Sequence, residues 1–237
     1  MPDQHIVRAF DRDLESIQAK IMKMGGLVEV AIHESAKSLK KRDEELAARV
    51  CATDKLIDAL EEEVNRDAAQ LLALRQPTAS DLRTVLVVMK ISGNLERVGD
   101  YAKNLAKRTA ILVQMPPIEG ASGAIKRMAT EVEHMLKDAL DAYVHQDVAL
   151  AQDVRERDHE VDQMYNALFR EFLTFMMEDP RNISACMHLH FIAKNIERMG
   201  DHVTSIAEQV IYLVTGELPE DERAKLDYIT EAQEAEE

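Results

Sequence analysis

One seven-residue pattern occurs twice in this chain, as Asn94-Leu95-Glu96-Arg97-Val98-Gly99-Asp100 and as Asn195-Ile196-Glu197-Arg198-Met199-Gly200-Asp201. Five of the seven positions are identical and the other two stay apolar. The polar residues are therefore repeated more closely than the apolar ones. Helix packing alone constrains mainly the apolar positions, so this bias indicates a role for the polar side chains.

A second pattern is repeated upstream of the first. Asp54-Lys55-Leu56-Ile57-Asp58 aligns with Asp158-His159-Glu160-Val161-Asp162, and the same offset relates Asp43 to Asp147. This offset is 104 residues, against 101 for the seven-residue pattern. Loops tolerate such length differences, and the loops around Pro77 and Pro180 can absorb the difference. The two halves of the chain therefore indicate an internal duplication.

Prolines and charged turns divide the chain into helices. Pro77, Pro116-Pro117, Pro180 and Pro219 end segments with helical periodicity. Two segments are too long for one helix, and Asp43 and Asp147 are suited to begin a new helix as N-caps. The pattern predicts an all-α fold of two tandem three-helix bundles related by a pseudo-twofold internal repeat. The six long helices lie near 5–40, 43–75, 79–114, 121–145, 147–178 and 181–215, with Gly25-Gly26 as a candidate kink in the first.

The repeat also predicts the division of the chain into sections. Residues 1–117 form the first repeat and residues 118–216 the second. Residues 217–237 are acidic and poor in apolar anchors, which predicts a solvated or partly helical tail outside the bundles.

Composition excludes several classes of protein. The 237 residues include 29 basic and 44 acidic side chains, a formal charge of −15, which argues against binding to nucleic acid or to an anionic membrane surface. Apolar residues make up 46% of the chain but aromatic residues only 4%, a composition that favours helices. No apolar run is long enough for a membrane span or a signal peptide. The two cysteines lack CxxC spacing, as is typical of reduced thiols in a cytoplasmic protein.

Four carboxylate pairs share one spacing, an acidic residue followed four positions later by Asp. On a helix such residues lie on one face with Cβ atoms about 6 Å apart. Two neighbouring helices would bring four carboxylates together, and at an effective dielectric constant of about 20 each pair repels by roughly 3 kcal/mol. The eight carboxylates are Asp54, Asp58, Glu96 and Asp100 in the first half and Asp158, Asp162, Glu197 and Asp201 in the second.

Such clusters must lie in water, become protonated, pair with Lys or Arg, or hold a cation. A single pair in so acidic a chain is typical of a solvated helix face, but four pairs at matching places favour metal binding. Oxygen ligands suit Mg²⁺, Mn²⁺ or iron better than a closed structural zinc site. His190 shares a helix stripe with Glu197 and is a candidate extra ligand, although its counterpart Met89 favours a surface histidine or one with satisfied hydrogen bonds.

Two further motif positions have an expected role. Gly99 and Gly200 precede the last Asp of each pattern, where a missing side chain permits close approach of a neighbouring helix or of an ion with its water. Arg97 and Arg198 neutralise an acid or face a partner on one interpretation, and form i,i+4 surface pairs on the other.

The two three-helix repeats, each with D-x-x-x-D on its second helix and N-[LI]-E-R-[VM]-G-D on its third, resemble the PhoU family of phosphate-uptake regulators. The resemblance extends from about residue 5 to residue 215 and includes all eight carboxylates. It implies a cytoplasmic, dimeric, all-α protein that binds metal ions at the acidic pairs. It also implies a negative regulator of the phosphate-starvation response that works with the phosphate ABC transporter, including its ATPase subunit, and with a sensor histidine kinase.

Two alternatives remain open at this stage. A carboxylate-bridged di-iron oxidase uses Glu-x-x-His pairs that project into a helical bundle, and Glu131 with His134 and Glu156 with His159 have that spacing. Both pairs are absent from the first repeat, which weakens this interpretation. A metal-free helical scaffold is the second alternative, because docking requires only a surface. The identity of the metal, whether Fe, Mn, Mg or Zn, is also open.

Overall fold

The predicted all-α architecture is confirmed by the computed structural model, which describes residues 2–75 and 79–219. Within these ranges the chain forms six long α-helices, a short 3₁₀ turn at Pro180–Asn182, and no strand. The helices are α1 (Pro2–Lys41), α2 (Glu44–Arg75), α3 (Ala79–Leu112), α4 (Ala121–His145), α5 (Val148–Glu178) and α6 (Ile183–Thr215). The predicted loop at Pro77 and residues 220–237 of the predicted tail lie outside the described residues.

The glycine pair in α1 does not interrupt the helix, which runs continuously from Pro2 to Lys41. Gly25 instead lies against Leu140 of α4, so closely that a Cβ atom at this position would collide with the leucine side chain. The missing side chain therefore serves helix–helix packing. Gly26 has open space around it.

Both predicted N-caps are present at equivalent turns. Asp43 accepts a hydrogen bond from the Leu46 amide at 2.9 Å. Asp147 accepts hydrogen bonds from the amides of Ala149 and Leu150 at 2.9 and 3.0 Å. Each cap follows a residue with left-handed backbone, Arg42 at φ 55° and Gln146 at φ 53°. The duplication thus extends to the backbone conformation of the turns.

The helices form two layers. In the first layer the order is α2–α3–α6–α5, with each helix in contact with the next. Helices α1 and α4 contact one another and cover this layer from behind, α1 on α2 and α3, and α4 on α5 and α6. Each repeat is therefore a three-helix unit, and one hydrophobic core contains side chains from all six helices. The outer face of the four-helix layer lies away from this core.

The two repeats meet where α3 and α6 run antiparallel. Arg83 lies near Tyr212 at one end of the contact, and Arg108 lies near His188 at the other. At the centre, His202 hydrogen-bonds Asn94 at 2.8 Å and its ring lies 5.7 Å from that of Tyr101. Tyr101 and His202 are equivalent positions of the two repeats, so the pseudo-twofold axis passes between them.

Candidate functional site

The first acidic cluster, Asp54, Asp58, Glu96 and Asp100, lies where α2 meets α3. Asp54 is buried at 5% exposure, whereas the other three carboxylates are half-buried. Gly99 permits the close approach of the helices, because a Cβ atom there would lie 3.0 Å from the Ile57 side chain. The predicted role of Gly99 is thereby confirmed for helix approach. The structure brings the four predicted residues together in one groove.

Lys103, which the sequence analysis did not select, neutralises part of the first acidic cluster. Its ammonium group lies 2.6 Å from Asp54 and 2.5 Å from Asp100. Burial disfavours the charged ammonium, but the hydrogen bonds that it donates to Asp100 and Asp54 outweigh this effect and raise the pKa of Lys103. The spacing of Lys103 three residues after Asp100 was the available signal, since i,i+3 residues are neighbours on a helix.

Glu96 and Asp58, the two carboxylates of the first acidic cluster that do not contact Lys103, both have raised pKa values. Burial, with the charge of Asp100 as the next cause, raises the pKa of Glu96 to about 7. Burial and the charge of Asp54 also raise the pKa of Asp58. These carboxylates are therefore incompletely compensated by Lys103, and the groove favours an additional positive charge.

The second acidic cluster, Asp158, Asp162, Glu197 and Asp201, occupies the equivalent groove between α5 and α6. Asp158 is buried at 8% exposure, matching Asp54 in the first repeat. A Cβ atom on Gly200 would lie 3.1 Å from an Asp158 oxygen and 3.5 Å from Val161. Gly200 thus allows a carboxylate, and not only an apolar side chain, to lie against its backbone.

The second acidic cluster has its internal cation at a different place. The Lys194 ammonium group lies 2.6 Å from Glu197, and the first-repeat counterpart of Lys194 is Gly93. Burial raises the pKa of Glu197, with the charges of Asp201 and Asp162 acting in the same direction and Lys194 opposing them. The acidic residues are duplicated between the repeats, whereas the lysines beside them are not.

Within the described ranges, one carboxylate oxygen in each cluster is buried without a hydrogen-bond partner: Asp54 Oδ1 in the first and Glu197 Oε2 in the second. Buried charged oxygens are normally paired or coordinated. Among the described residues, no group of three or more His, Cys, Asp or Glu side chains is arranged as a ready metal site. The donor atoms are all carboxylate oxygens, which suit hard cations.

His190 lies in an aromatic cluster beside the second acidic cluster. Its ring centroid is 5.8 Å from that of Tyr165, 5.3 Å from Phe169 and 5.8 Å from Phe191. Burial, with the charge of Lys194 as a second cause, lowers the pKa of His190. His190 is half-buried among these rings, and within the described part of the chain its buried Nδ1 atom has no hydrogen-bond partner. It is therefore neither the surface histidine nor the hydrogen-bonded histidine that the sequence favoured.

The motif arginines lie close to the pseudo-twofold axis. Arg97 is exposed and its guanidinium lies 3.7 Å from Glu96, its neighbour in the chain. Arg198 of α6 interacts with Tyr101 of α3, and this interaction raises the pKa of Arg198. Neither arginine forms the i,i+4 surface pair that was one of the two expectations. Arg198 instead ties the second repeat to the first.

The two Glu-x-x-His pairs do not project into the bundle. His134, Glu156 and His159 are exposed, and Glu131 lies 3.9 Å from Arg157. A carboxylate-bridged di-iron site requires inward-facing ligands from several helices. The oxidase alternative therefore fails at the positions on which it depended. None of the described helices is long and apolar enough to cross a membrane.

Comparison with known proteins agrees with this duplicated architecture. The family model described as PhoU domain matches the chain twice, at residues 21–109 and 125–210. The chain belongs to the PhoU family. The two matches contain all eight carboxylates of the acidic clusters.

Curated PhoU relatives are similar over most of their length. A "Phosphate-specific transport system accessory protein PhoU homolog" of Caulobacter vibrioides is 45% identical over 96% of this chain and 99% of the relative. The homolog of the same description from Zymomonas mobilis is 50% identical over 93% of each chain.

Solved PhoU structures have the same fold. PhoU from Pseudomonas aeruginosa superposes with a TM-score of 0.85 at 36% identity, covering 88% of this chain and all of that one. The phosphate transport system regulatory protein PhoU from Streptococcus pneumoniae gives a TM-score of 0.81 at 29% identity, covering 89% and 99%. The chain is thus a non-enzymatic accessory protein of the PhoU family.

Proposed function

We propose that this PhoU chain is a metal-binding adaptor that restrains phosphate uptake and the phosphate-starvation response. The observation that carries the proposal is the pair of duplicated acidic clusters in a chain whose relatives are named accessory proteins of phosphate-specific transport. The protein docks, in the cytoplasm and as a homodimer, on the ATPase subunit of the phosphate ABC transporter and on a sensor histidine kinase. When phosphate is plentiful, it stabilises the signalling-off state of these partners by binding that state more tightly.

The acidic clusters fit a cation. Each has a buried carboxylate oxygen without a hydrogen-bond partner, Asp54 Oδ1 or Glu197 Oε2, and the pKa of a glutamate is raised in both. Bound Mg²⁺, Mn²⁺, iron or Zn²⁺ would supply the positive charge that these oxygens lack. Asp54, Asp58, Glu96 and Asp100 would hold it in the first repeat, and Asp158, Asp162, Glu197 and Asp201 in the second.

Deletion of the gene in the native host tests the regulatory role. We expect constitutive alkaline phosphatase and excess phosphate accumulation on phosphate-rich medium, both reversed by a plasmid copy. The double variant Asp100→Ala with Asp201→Ala should fail to restore repression. The matched control is the double variant Glu62→Ala with Glu160→Ala, at exposed carboxylates of α2 and α5. This control should restore repression. Normal repression in the deletion strain would contradict the proposal.

Metal content tests the binding role separately. Protein purified without chelator should contain bound metal, and Asp100→Ala with Asp201→Ala should lower the amount measured by elemental analysis. After chelator treatment, Mn²⁺, Mg²⁺ or Fe²⁺ should raise the melting temperature of the parent chain more than that of the variant.

A metal-free scaffold is the second candidate, and one observation favours it. Lys103 already supplies an ammonium group to Asp54 and Asp100, so the first acidic cluster is partly neutralised without a metal. Two results together would favour the scaffold. The melting temperature would not change with any of the three cations, and the double variant Asp100→Ala with Asp201→Ala would restore normal repression.

A further inference from the structure

The helices α5 and α6 expose a continuous apolar surface. Two stripes form it, each with i, i+4, i+8 spacing that places three side chains on one face of a helix. All six side chains are between 40% and 85% exposed, with Met177 the most exposed. We call these residues the α5–α6 apolar surface: Phe169, Leu173 and Met177 of α5, and Ile183, Met187 and Phe191 of α6.

The two stripes meet at His190. Its ring lies 5.3 Å from Phe169 on α5 and 5.8 Å from Phe191 on its own helix. The stripes therefore form one surface rather than two separate ones. Scattered single apolar residues are normal on a protein surface, but contiguous apolar patches mark interaction sites.

The fold does not require this surface. The equivalent α2 positions in the first repeat hold Asn65, Ala69 and Ala73, and the α3 position equivalent to Phe191 is Lys90. The first repeat nevertheless forms the same helix pair. Leu82 and Leu86 hold the positions equivalent to Ile183 and Met187 and are similarly exposed, so four of the six large apolar side chains belong to the second repeat alone. These four need an explanation other than helix pairing.

Arg108 and Arg170 give a local positive charge to the end of the surface at Phe169 and Phe191, in a chain of net charge −15. At the other end the exposed Glu178 follows Met177. The Arg108 guanidinium stacks 4.4 Å from the Phe191 ring centroid and contacts His188 at 3.2 Å. Arg170 is exposed and follows Phe169 in the chain. Within the described part of the chain, neither arginine has a carboxylate at ion-pair distance. Most of this acidic chain offers carboxylates to its basic residues, but Arg108 and Arg170 are left available. They therefore favour binding of a carboxylate from another molecule.

We propose that the α5–α6 apolar surface binds an acidic amphipathic helix of a partner protein. The helix lays its apolar side chains along the two stripes, and its carboxylates pair with Arg108 and Arg170. Helices bind apolar grooves in this way through anchors at i, i+3, i+4 and i+7. The proposal deepens the docking role described above and rests on it for the existence of a partner.

Two other occupants come from the chain itself. The acidic residues beyond Pro219 are an alternative occupant that the truncation described below tests. A second copy of the chain would bring a surface of the same positive sign.

A fluorescent peptide tests the proposal on the full chain. The probe is a 20-residue helix with Leu at i, i+3, i+4 and i+7 positions and Glu on the opposite face. A matched peptide carries Lys in place of Glu. Fluorescence anisotropy should show saturable binding of the acidic peptide despite the net negative charge of the protein. Arg108→Glu and Met187→Ser should each weaken that binding by about tenfold or more, and neither should weaken binding of the Lys peptide.

The control variant is Leu86→Ser, because Leu86 is the first-repeat equivalent of Met187 and is similarly exposed. It should change the affinity for the acidic peptide by less than about twofold. Circular dichroism melting of each variant checks that the fold is retained. Absence of saturable binding, or an equal loss in Leu86→Ser, would overturn the proposal.

Two further outcomes would identify another occupant and also overturn it. Tighter peptide binding by a chain ending at Pro219 would show that the C-terminal segment covers the surface. Conversion of a dimer to a monomer by Met187→Ser, measured by light scattering, would show that a second copy does. Peptide binding combined with normal alkaline phosphatase repression in the deletion strain would leave the surface established and the proposed regulation refuted.

Discussion

Lys103 links the two helices of the first acidic cluster at the level of a single side chain. It donates to Asp54 on α2 and to Asp100 on α3. Removing one partner of a buried ion pair leaves an uncompensated charge, which is more destabilising than the pair itself is stabilising. The stability of the metal-free protein therefore depends on this lysine.

Lys103→Met should lower the free energy of unfolding of the metal-free protein by about 2 kcal/mol. This loss is smaller than for a fully buried pair, because solvent screens the partly exposed Lys103. Mn²⁺ should restore part of the loss. Urea denaturation with chelator and with Mn²⁺ measures both effects. The control is Lys107→Met, an exposed lysine one turn further along α3. Equal losses in the two variants would contradict the proposed link.

Gly200 and Gly93 both lie in helix interiors, but Gly200 is closely packed against a neighbouring helix and Gly93 has open space beside it. A Cβ atom on Gly200 would lie 3.1 Å from Asp158, whereas one on Gly93 would have nothing within 4 Å. Gly200→Ala should therefore lower the free energy of unfolding by about 1–2 kcal/mol, because the added methyl group crowds Asp158. Gly93→Ala should raise it by about 0.5–1 kcal/mol, because alanine restricts the unfolded chain. Urea denaturation of both variants checks the predicted difference in sign.

Glu96 makes stability depend on pH. Its pKa in the folded protein is about 7 against an ordinary value of 4.5. The folded state therefore binds more protons than the unfolded state between these values, and the free energy of unfolding falls as the pH rises through this window. Ionised Glu96 is destabilising in the metal-free protein.

Glu96→Gln should flatten this pH dependence. At pH 8 the metal-free variant should be more stable than the parent chain by on the order of 1 kcal/mol after solvent screening, and the difference should shrink towards pH 5. Denaturation midpoints across this range, with Glu62→Gln as an exposed control on α2, provide the measurement. A difference that is constant with pH would refute the assignment.

At the scale of helices, the duplicated turns depend on their capping aspartates. Asp147 accepts hydrogen bonds from two amides of α5, and Asp43 accepts one from α2. Asp43→Ala and Asp147→Ala should each lower the free energy of unfolding by about 1 kcal/mol. Glu160→Ala, on the exposed face of α5, should change it by less than about 0.5 kcal/mol. Urea denaturation of the three variants makes the comparison.

The helices and their caps could be predicted from the sequence because their determinants are local. Proline positions and Asp43 and Asp147 act within one turn of the residues they affect. The start of α1 at Pro2 and the end of α3 at Leu112 differ slightly from the predicted limits, as expected where helix ends fray. The close approach of Gly25 to α4 could not be predicted from the sequence, because the side chain it meets, Leu140, lies on another helix.

The acidic clusters were predictable only in part. The i,i+4 spacing and the repeat indicated which carboxylates of each repeat lie on neighbouring helices. The burial of Asp54 and Asp158 and the roles of Lys103 and Lys194 depend on how one helix lies against another. No spacing along the chain specifies that arrangement. Binding of a metal stays a prediction.

At the scale of the whole molecule, the two repeats share one core. Side chains from all six helices belong to it, and the second layer joins the repeats through α1 and α4. We expect a single calorimetric unfolding transition whose van't Hoff and calorimetric enthalpies agree. Separate fragments 1–117 and 118–219 should unfold at lower temperature and less cooperatively. Two resolved transitions in the full chain would show that the repeats are independent.

The antiparallel α3–α6 contact places equivalent residues of the two repeats on either side of one axis, with Tyr101 facing His202. In a twofold dimer, the same surface of each subunit contacts its counterpart on the other. The α3–α6 contact therefore has the form of a dimer interface between two copies of a single repeat. Joining the repeats in one polypeptide makes their association a first-order event, governed by an effective concentration rather than by how much protein the cell contains. Assembly of this core is therefore insensitive to dilution, even when the chain is made in few copies.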